Sequence, residues 1–366
     1  MNSLRILMLG ASLDQNGGIA TLEKLILKHT PSNIEIQHVT SHDEGSILHR
    51  VIVFTKALLA LLWRLLRRDV DLVHIHLSDG GSLLRKAMLT LLASLFRIPV
   101  LMHANGAEFH FTYASLPKGA QQCLSSIFRQ CRGFIAVTQL WKDYYITNLG
   151  LNEEQVFVLP NPAELPAQVP NRTGVTKIKL IFCGRIGQRK GAFDLIRAFA
   201  QLPDELKQNS QLILAGDGEI EEGQQLAITL NVQNSITFLG WVNAETRDAL
   251  LTEADVFILP SYNEGLPLAL IEAMGWGLPV ITTPVSGIPE LVTSTENGLL
   301  VEPGDIQQLS EAMQALIKDE ALRLALGSAA RKTVAPLDVK NFFCRLTEIY
   351  RLVVAKRYSS SAQATL

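Results

Sequence analysis

Short apolar runs bounded by glycine, proline or charge alternate with longer stretches of helical period, and the alternation comes twice along the chain. In the first pass the runs are RILMLG, IEIQHV, DLVHIH, PVLMHA and GFIAVT, with helical patterns after Gly18, near 51–68 and near 83–96. Runs of this kind separated by helices predict a parallel sheet wrapped by helices. A proline-rich stretch from Leu159 to Gly174, LPNPAELPAQVPNRTG, then breaks the pattern and reads as a linker. The second pass has IKLIFCGR, QLILAGDG, ITFLG, DVFILP, PVITT and GLLVEP, with helices over AFDLIRAFAQL, near 220–231, near 245–252 and around Glu272. This pattern predicts an α/β protein of two Rossmann-like β/α/β domains with a ligand between them. The expected divisions are 1–160, a linker at 161–176, 177–336, and a C-terminal helix and tail at 337–366 that packs back toward the first domain. That helix is amphipathic from Leu337 to Val354, and RYSSSAQATL after it reads as a frayed end.

Composition narrows the class. The 366 residues suffice for two domains with separate cores. Charged residues make up 19% and the formal net charge is −2, so no global basic field points to nucleic acid. Cys123, Cys131, Cys183 and Cys344 have neither paired spacing nor nearby histidines, which argues against a zinc site or a disulfide framework and for a reducing cytoplasm. The apolar run in MNSLRILMLG is too short for the core of a signal peptide and reads as a first strand.

Two stretches carry candidate chemistry. In DVFILPSYNEGLPLALIEAMG a buried strand leads through a loop into a helix expected to start near Leu266, with Pro267 in its first turn. The free N–H groups of a helix start suit a phosphate, so Glu264 would lie beside an anion site. Glu272, further down the helix, is a natural acceptor for the two hydroxyls of a ribose. The bland alternative is a capping Glu264 and a solvated Glu272. In FCGRIGQRKG, Arg185 and Lys190 occupy a glycine-flanked loop leaving a strand, where cations and backbone amides meet phosphate oxygens, or else form a solvated basic turn.

Taken together with NGGIA, DLVHIH, VLPNP, LAGDGE, FLGWV, SGIPELV and NGLLVEPGD, these stretches resemble the retaining glycosyltransferases of family 4, which have the GT-B fold. The motifs occur in the family's order over nearly the whole chain, and Glu264 and Glu272, with seven residues between them, form its E-x7-E signature. The resemblance implies two Rossmann-like domains facing across a cleft and transfer of a sugar from a nucleotide-sugar donor with retention of configuration. It implies that Arg185 and Lys190 neutralise the donor diphosphate, that Glu264 lies against the sugar, and that Glu272 binds the ribose. The amides of Gly265 and Leu266 would face the sugar or its phosphate, and Gly17 and Gly18 would let backbone approach the diphosphate. The donor would be UDP- or GDP-linked, the acceptor a glycan or a lipid-linked glycan, and no cofactor or metal would be needed.

One departure concerns the histidines. Where the family often reads H-x-H-G, this chain has His103, Ala104, Asn105 and Gly106. Asn105 thus holds the place usually near the sugar, and His103 is expected to support it. Asparagine hydrogen-bonds a hydroxyl but cannot titrate, which a mechanism in which the leaving phosphate takes the acceptor proton tolerates. His74 and His76 alternate with apolar residues on a strand and read as structural. Asp69 and Asp71 have the spacing of a metal-binding Asp-x-Asp, but they precede a buried strand and read as a helix exit.

The segment Val51 to Arg68 is apolar on more than one helical face, with Trp63 and with Arg64, Arg67 and Arg68 at one end. Such a helix suits the surface of an anionic membrane, here expected to be its cytoplasmic face, and an acceptor carried on a lipid. Two other readings remain at this stage: a nucleotide-sugar epimerase of the same fold, and a non-catalytic nucleotide-sugar or glycan-binding subunit. A nicotinamide-dependent dehydrogenase is weaker, because no G-x-G-x-x-G follows the first strand.

Overall fold

The computed structural model describes the backbone of residues 3–363 and side chains as far as residue 355. The chain folds as two compact units, one of Met1–Asn161 together with the stretch from Val339 onward, the other of Pro162–Asp338. Each holds a six-stranded, all-parallel sheet covered by helices, so the α/β reading holds. The first sheet contains β1 (Leu4–Ala11), β2 (Ile34–His42), β3 (Leu72–Leu77), β4 (Val100–Ala104), β5 (Gly133–Ala136) and β6 (Val156–Val158), in the order β2-β1-β3-β4-β5-β6. The second contains β7 (Ile178–Cys183), β8 (Ser210–Ala215), β9 (Ile236–Gly240), β10 (Val256–Leu259), β11 (Val280–Thr282) and β12 (Leu299–Leu300), in the order β12-β11-β10-β7-β8-β9. The central strands β3, β4, β5 and β10 are buried along their whole length, in keeping with their largely apolar sequences.

Both strand orders reverse once, between β1 and β3 in the first unit and between β7 and β10 in the second. Loops leaving two adjacent strands there run in opposite directions and open a crevice at the carboxyl ends, where open α/β sheets bind ligands. The loops after β1, β7 and β10 hold Gly17, Arg185, Lys190 and Glu264.

Several boundaries differ from the sequence reading. From Pro162 the supposed linker belongs to the second unit, because Arg172 donates to the carbonyls of Leu251 at 3.0 Å, Ala254 at 2.7 Å and Trp276 at 2.9 Å. Carbonyls at helix C-termini lack intrahelical partners, and one guanidinium satisfies three of them. The Glu272 helix spans Leu268–Gly275 with Pro267 as its N-cap, two residues later than expected. The last helix, Val339–Gln363, runs past Val354, and 364–366 lie outside the described residues. It packs on the first sheet, where Tyr350 Oη lies 2.9 Å from His74 Nδ1. No described helix is long and apolar enough to cross a membrane.

Candidate active site

In the second unit the loops after β7 and β10 are stitched to each other. Tyr262 N donates to Arg189 O at 2.9 Å, and Arg189 Nη1 donates to Asn263 O at 3.3 Å. Gly191 lies between Lys190 and the helix Ala192–Ala200 with φ of 70°, and any β-carbon there would run into the carbonyl oxygen of Pro260. Only glycine permits both the left-handed backbone and this approach.

The stitching delivers Lys190 Nζ to within 2.5 Å of Glu264 Oε1. Ser261 Oγ donates to the same oxygen at 2.7 Å, and Thr283 Oγ1 fixes Ser261 by donating to its carbonyl at 2.6 Å. Glu264 is buried three residues before the N-cap Pro267, and one of its carboxylate oxygens takes a charged and a neutral donor. Arg185 is half exposed at the rim of the β7 loop, beside Asp217 at 3.3 Å.

Glu272 is also buried rather than solvated, with Arg247 Nη1 at 2.9 Å from its carboxylate. Burial pushes its pKa up to about 7 even though Arg247 pulls the other way. A carboxyl poised there switches between acceptor and donor near neutrality. Sequence reasoning missed Arg247 and Ser261. Arg247 comes from the helix Ala244–Glu253, whose apolar residues form no clear stripe, so no local pattern marks it. Gly265 and Leu266 are buried immediately before the N-cap of the Glu272 helix.

In the first unit Gly17 is the N-cap of the helix Gly18–Lys28, with φ of 146° and open space where a side chain would stand. The backbone at this switch point is therefore bare. His103 is wholly buried on β4 and Asn105 half-buried just beyond the strand end. Asn105 Nδ2 donates to His103 O at 3.1 Å and lies 3.3 Å from His76 Nδ1. The side chain of Asn105 is thus held by the backbone carbonyl of His103, whose imidazole makes no hydrogen bond to it. Asp69 and Asp71 pair with Arg64 at 2.7 Å and Arg5 at 2.9 Å and do not converge on a cation. The Lys190–Glu264 cluster and the Asn105 cluster belong to different units.

Two family models match the chain, "Glycosyl transferases group 1" over residues 167–333 and "Glycosyltransferase Family 4" over 29–165. Among curated proteins it is similar to the UDP-Gal:alpha-D-GlcNAc-diphosphoundecaprenol alpha-1,3-galactosyltransferase of Escherichia coli, 26% identical over 81% of this chain and 79% of the relative. The lipopolysaccharide core biosynthesis glycosyltransferase LpsE of Rhizobium meliloti is 34% identical over 41% of this chain, and that match spans 43% of LpsE. Among solved structures, Anabaena HepE in complex with UDP and glucose superposes with a TM-score of 0.72 at 19% identity, covering 94% of this chain and 99% of HepE.

Proposed function

We propose that this chain, which belongs to the GT4-type glycosyltransferases of the GT-B fold, moves a sugar from a UDP- or GDP-linked donor to a hydroxyl of a glycan or lipid-linked acceptor with retention of anomeric configuration. The observation that carries this reading is the pair of buried carboxylates, each held by a cation, at the switch-point edge of the second sheet: Glu264 with Lys190 and Glu272 with Arg247. A nucleotide diphosphate brings two negative charges to a site where Lys190 and Arg185 stand on loops at the ends of strands. As the bond to the sugar breaks, negative charge grows on the leaving phosphate, and preorganised cations stabilise that state more than the ground state. Glu264 receives sugar hydroxyls, Glu272 receives the ribose, and the departing phosphate accepts the acceptor's proton. No metal is required in this scheme, so a chelator leaves turnover intact.

The acceptor reading rests on the helix Ile47–Arg67. It buries Ala57, Leu61 and Leu65 but leaves Ile47, Leu48, Leu59, Trp63 and Leu66 more than half exposed. Arg67 lies over the Trp63 ring at 5.4 Å, with Arg64 and Arg68 beside it. An apolar face with a basic end suits the cytoplasmic face of an anionic bilayer, from which a lipid-linked glycan is reached. The E. coli relative, named for a diphosphoundecaprenol acceptor, supports the same direction toward cell-surface polysaccharide assembly. Flotation with anionic liposomes that salt weakens is the expected result; no flotation at any ionic strength removes the membrane.

The test of function is incubation with UDP-glucose, UDP-galactose and GDP-mannose and a synthetic GlcNAc-diphospholipid, with products read by NMR. A glycosylated lipid or glycan with the donor's anomeric configuration is expected. Conversion of the donor sugar without acceptor would instead identify an epimerase, and an inverted product would sink the retaining mechanism.

A further inference from the structure

The first sheet carries a polar cluster in its core that the transfer reaction does not use. His74 and His76 point to one face of β3, and His103 stands opposite His76 in the register with β4. All three side chains are buried, at 0%, 2% and 0% exposure, and one nitrogen from each ring lies within 4.8 Å of those of the other two. His74 Nε2, His76 Nε2 and both nitrogens of His103 have no hydrogen-bond partner. A neutral imidazole presents one N–H and one lone pair, so apolar burial strands at least one polar atom on each ring.

Two of the three rings have a neighbour at Nδ1. His74 Nδ1 meets Tyr350 Oη at 2.9 Å; His76 Nδ1 meets Asn105 Nδ2 at 3.3 Å and has Glu23 Oε1 at 3.8 Å. Glu23 is itself wholly buried and held by His38 at 3.0 Å. His74, with Nδ1 held by a hydroxyl and Nε2 bare, has the arrangement of a metal-ligating histidine, whose second nitrogen is fixed by a hydroxyl, carboxylate or carbonyl; the Glu23 carboxylate stands on the Nδ1 side of His76, and both nitrogens of His103 are bare. We propose that His74, His76 and His103 form a structural site for one transition-metal dication, with zinc as the best match to three neutral imidazoles. Ligands about 2.0–2.1 Å from a tetrahedral ion lie roughly 3.3 Å apart, so side-chain rotations that close the cluster by up to about 1.5 Å suffice. Asn105 Oδ1, also buried and unpartnered, is available for the fourth position directly or through water. Glu23 supplies the nearby negative charge that a buried dication requires. Burial holds the pKa values of all three imidazoles well below the usual histidine value, which keeps them in the ligand form. The ion is distinct from catalysis: with the rings sealed, it offers no open position to a substrate.

The experiment uses the full chain expressed in zinc-supplemented medium, desalted and assayed by inductively coupled plasma mass spectrometry. A second sample is unfolded in chelator and refolded with cobalt. Near-stoichiometric zinc and the visible d–d bands of four-coordinate cobalt are expected, with both lost in His103→Gln and in His74→Gln and retained in His49→Gln, which lies outside the cluster. The wild-type samples decide the matter even if a variant fails to fold. Absence of metal from the zinc-grown protein together with a colourless cobalt refold overturns the site and assigns the bare nitrogens to buried water. Metal that survives either cluster substitution in a folded variant overturns it equally.

Discussion

Replacing Glu272 with glutamine should stabilise the unliganded protein at alkaline pH while weakening its hold on nucleotide. Glu272 is buried, and its pKa rises from the ordinary 4.5 to about 7 because desolvation outweighs Arg247. A carboxyl raised in this way contributes stability that is fully present below pH 4.5 and is lost as pH rises through about 7. Each unit corresponds to about 1.4 kcal/mol, so at pH 8 the charged carboxylate costs up to about 3 kcal/mol relative to a neutral isostere. For a unit of this size that is a rise of about 6–10 °C in melting temperature for Glu272→Gln at pH 8. About one unit below pH 4.5, where the wild-type side chain is neutral folded or unfolded, the two proteins should melt together. Nucleotide affinity should fall about tenfold, since a neutral amide replaces a charged acceptor. Scanning fluorimetry at both pH values and titration calorimetry provide the readings. A variant less stable than wild type at pH 8, or an offset that is the same at both pH values, would refute the desolvation argument.

Other substitutions probe the remaining parts. Gly191→Ala combines a left-handed backbone with collision against Pro260 O, whereas Gly174→Ala, with φ of 70° and open space, has only the backbone penalty. The first should cost about 2–5 kcal/mol and the second about 1–2 kcal/mol in urea unfolding, and equal losses would remove the close approach from the account. Lys190→Ala should lower kcat by about 10²–10³ with a smaller change in KM, and a pure KM effect would demote Lys190 to substrate binding. Tyr350→Phe leaves His74 Nδ1 unpaired in the core and should destabilise the first unit by about 1–3 kcal/mol; an unchanged denaturation midpoint would show that the hydroxyl contributes nothing.

The sheet strands were legible because most are short, largely apolar runs bounded by glycine, proline or charge, as in DVFILP. The helices Phe109–Ala114, Lys118–Phe128 and Gln139–Leu149 were not read, and neither were Ile306–Lys318 and Glu320–Val334. Caps such as Thr138 and Asp305 mark the starts of two of them. Glu264 and Lys190 could be picked from motifs, but their 2.5 Å contact spans 74 positions and depends on strand order, which no local spacing encodes. Arg172 misled for a related reason: its proline-rich surroundings look like a linker, and its three carbonyl acceptors lie about 80–100 positions away. His74 and His76 were read as structural and His103 as a support for Asn105; only the β3–β4 register gathers the three.

The central claim is a nucleotide-sugar site in the second unit built on Lys190 and Glu272. Thermal unfolding of the wild type, Lys190→Ala and Glu272→Ala against UDP, GDP, ADP and CMP tests it most directly. At about 100 times the dissociation constant a ligand adds roughly 2.7 kcal/mol, a shift of several degrees. The account predicts that UDP or GDP alone shifts the wild type and that the shift is lost in both variants. No shift with any nucleotide, or one that survives both substitutions, would contradict it.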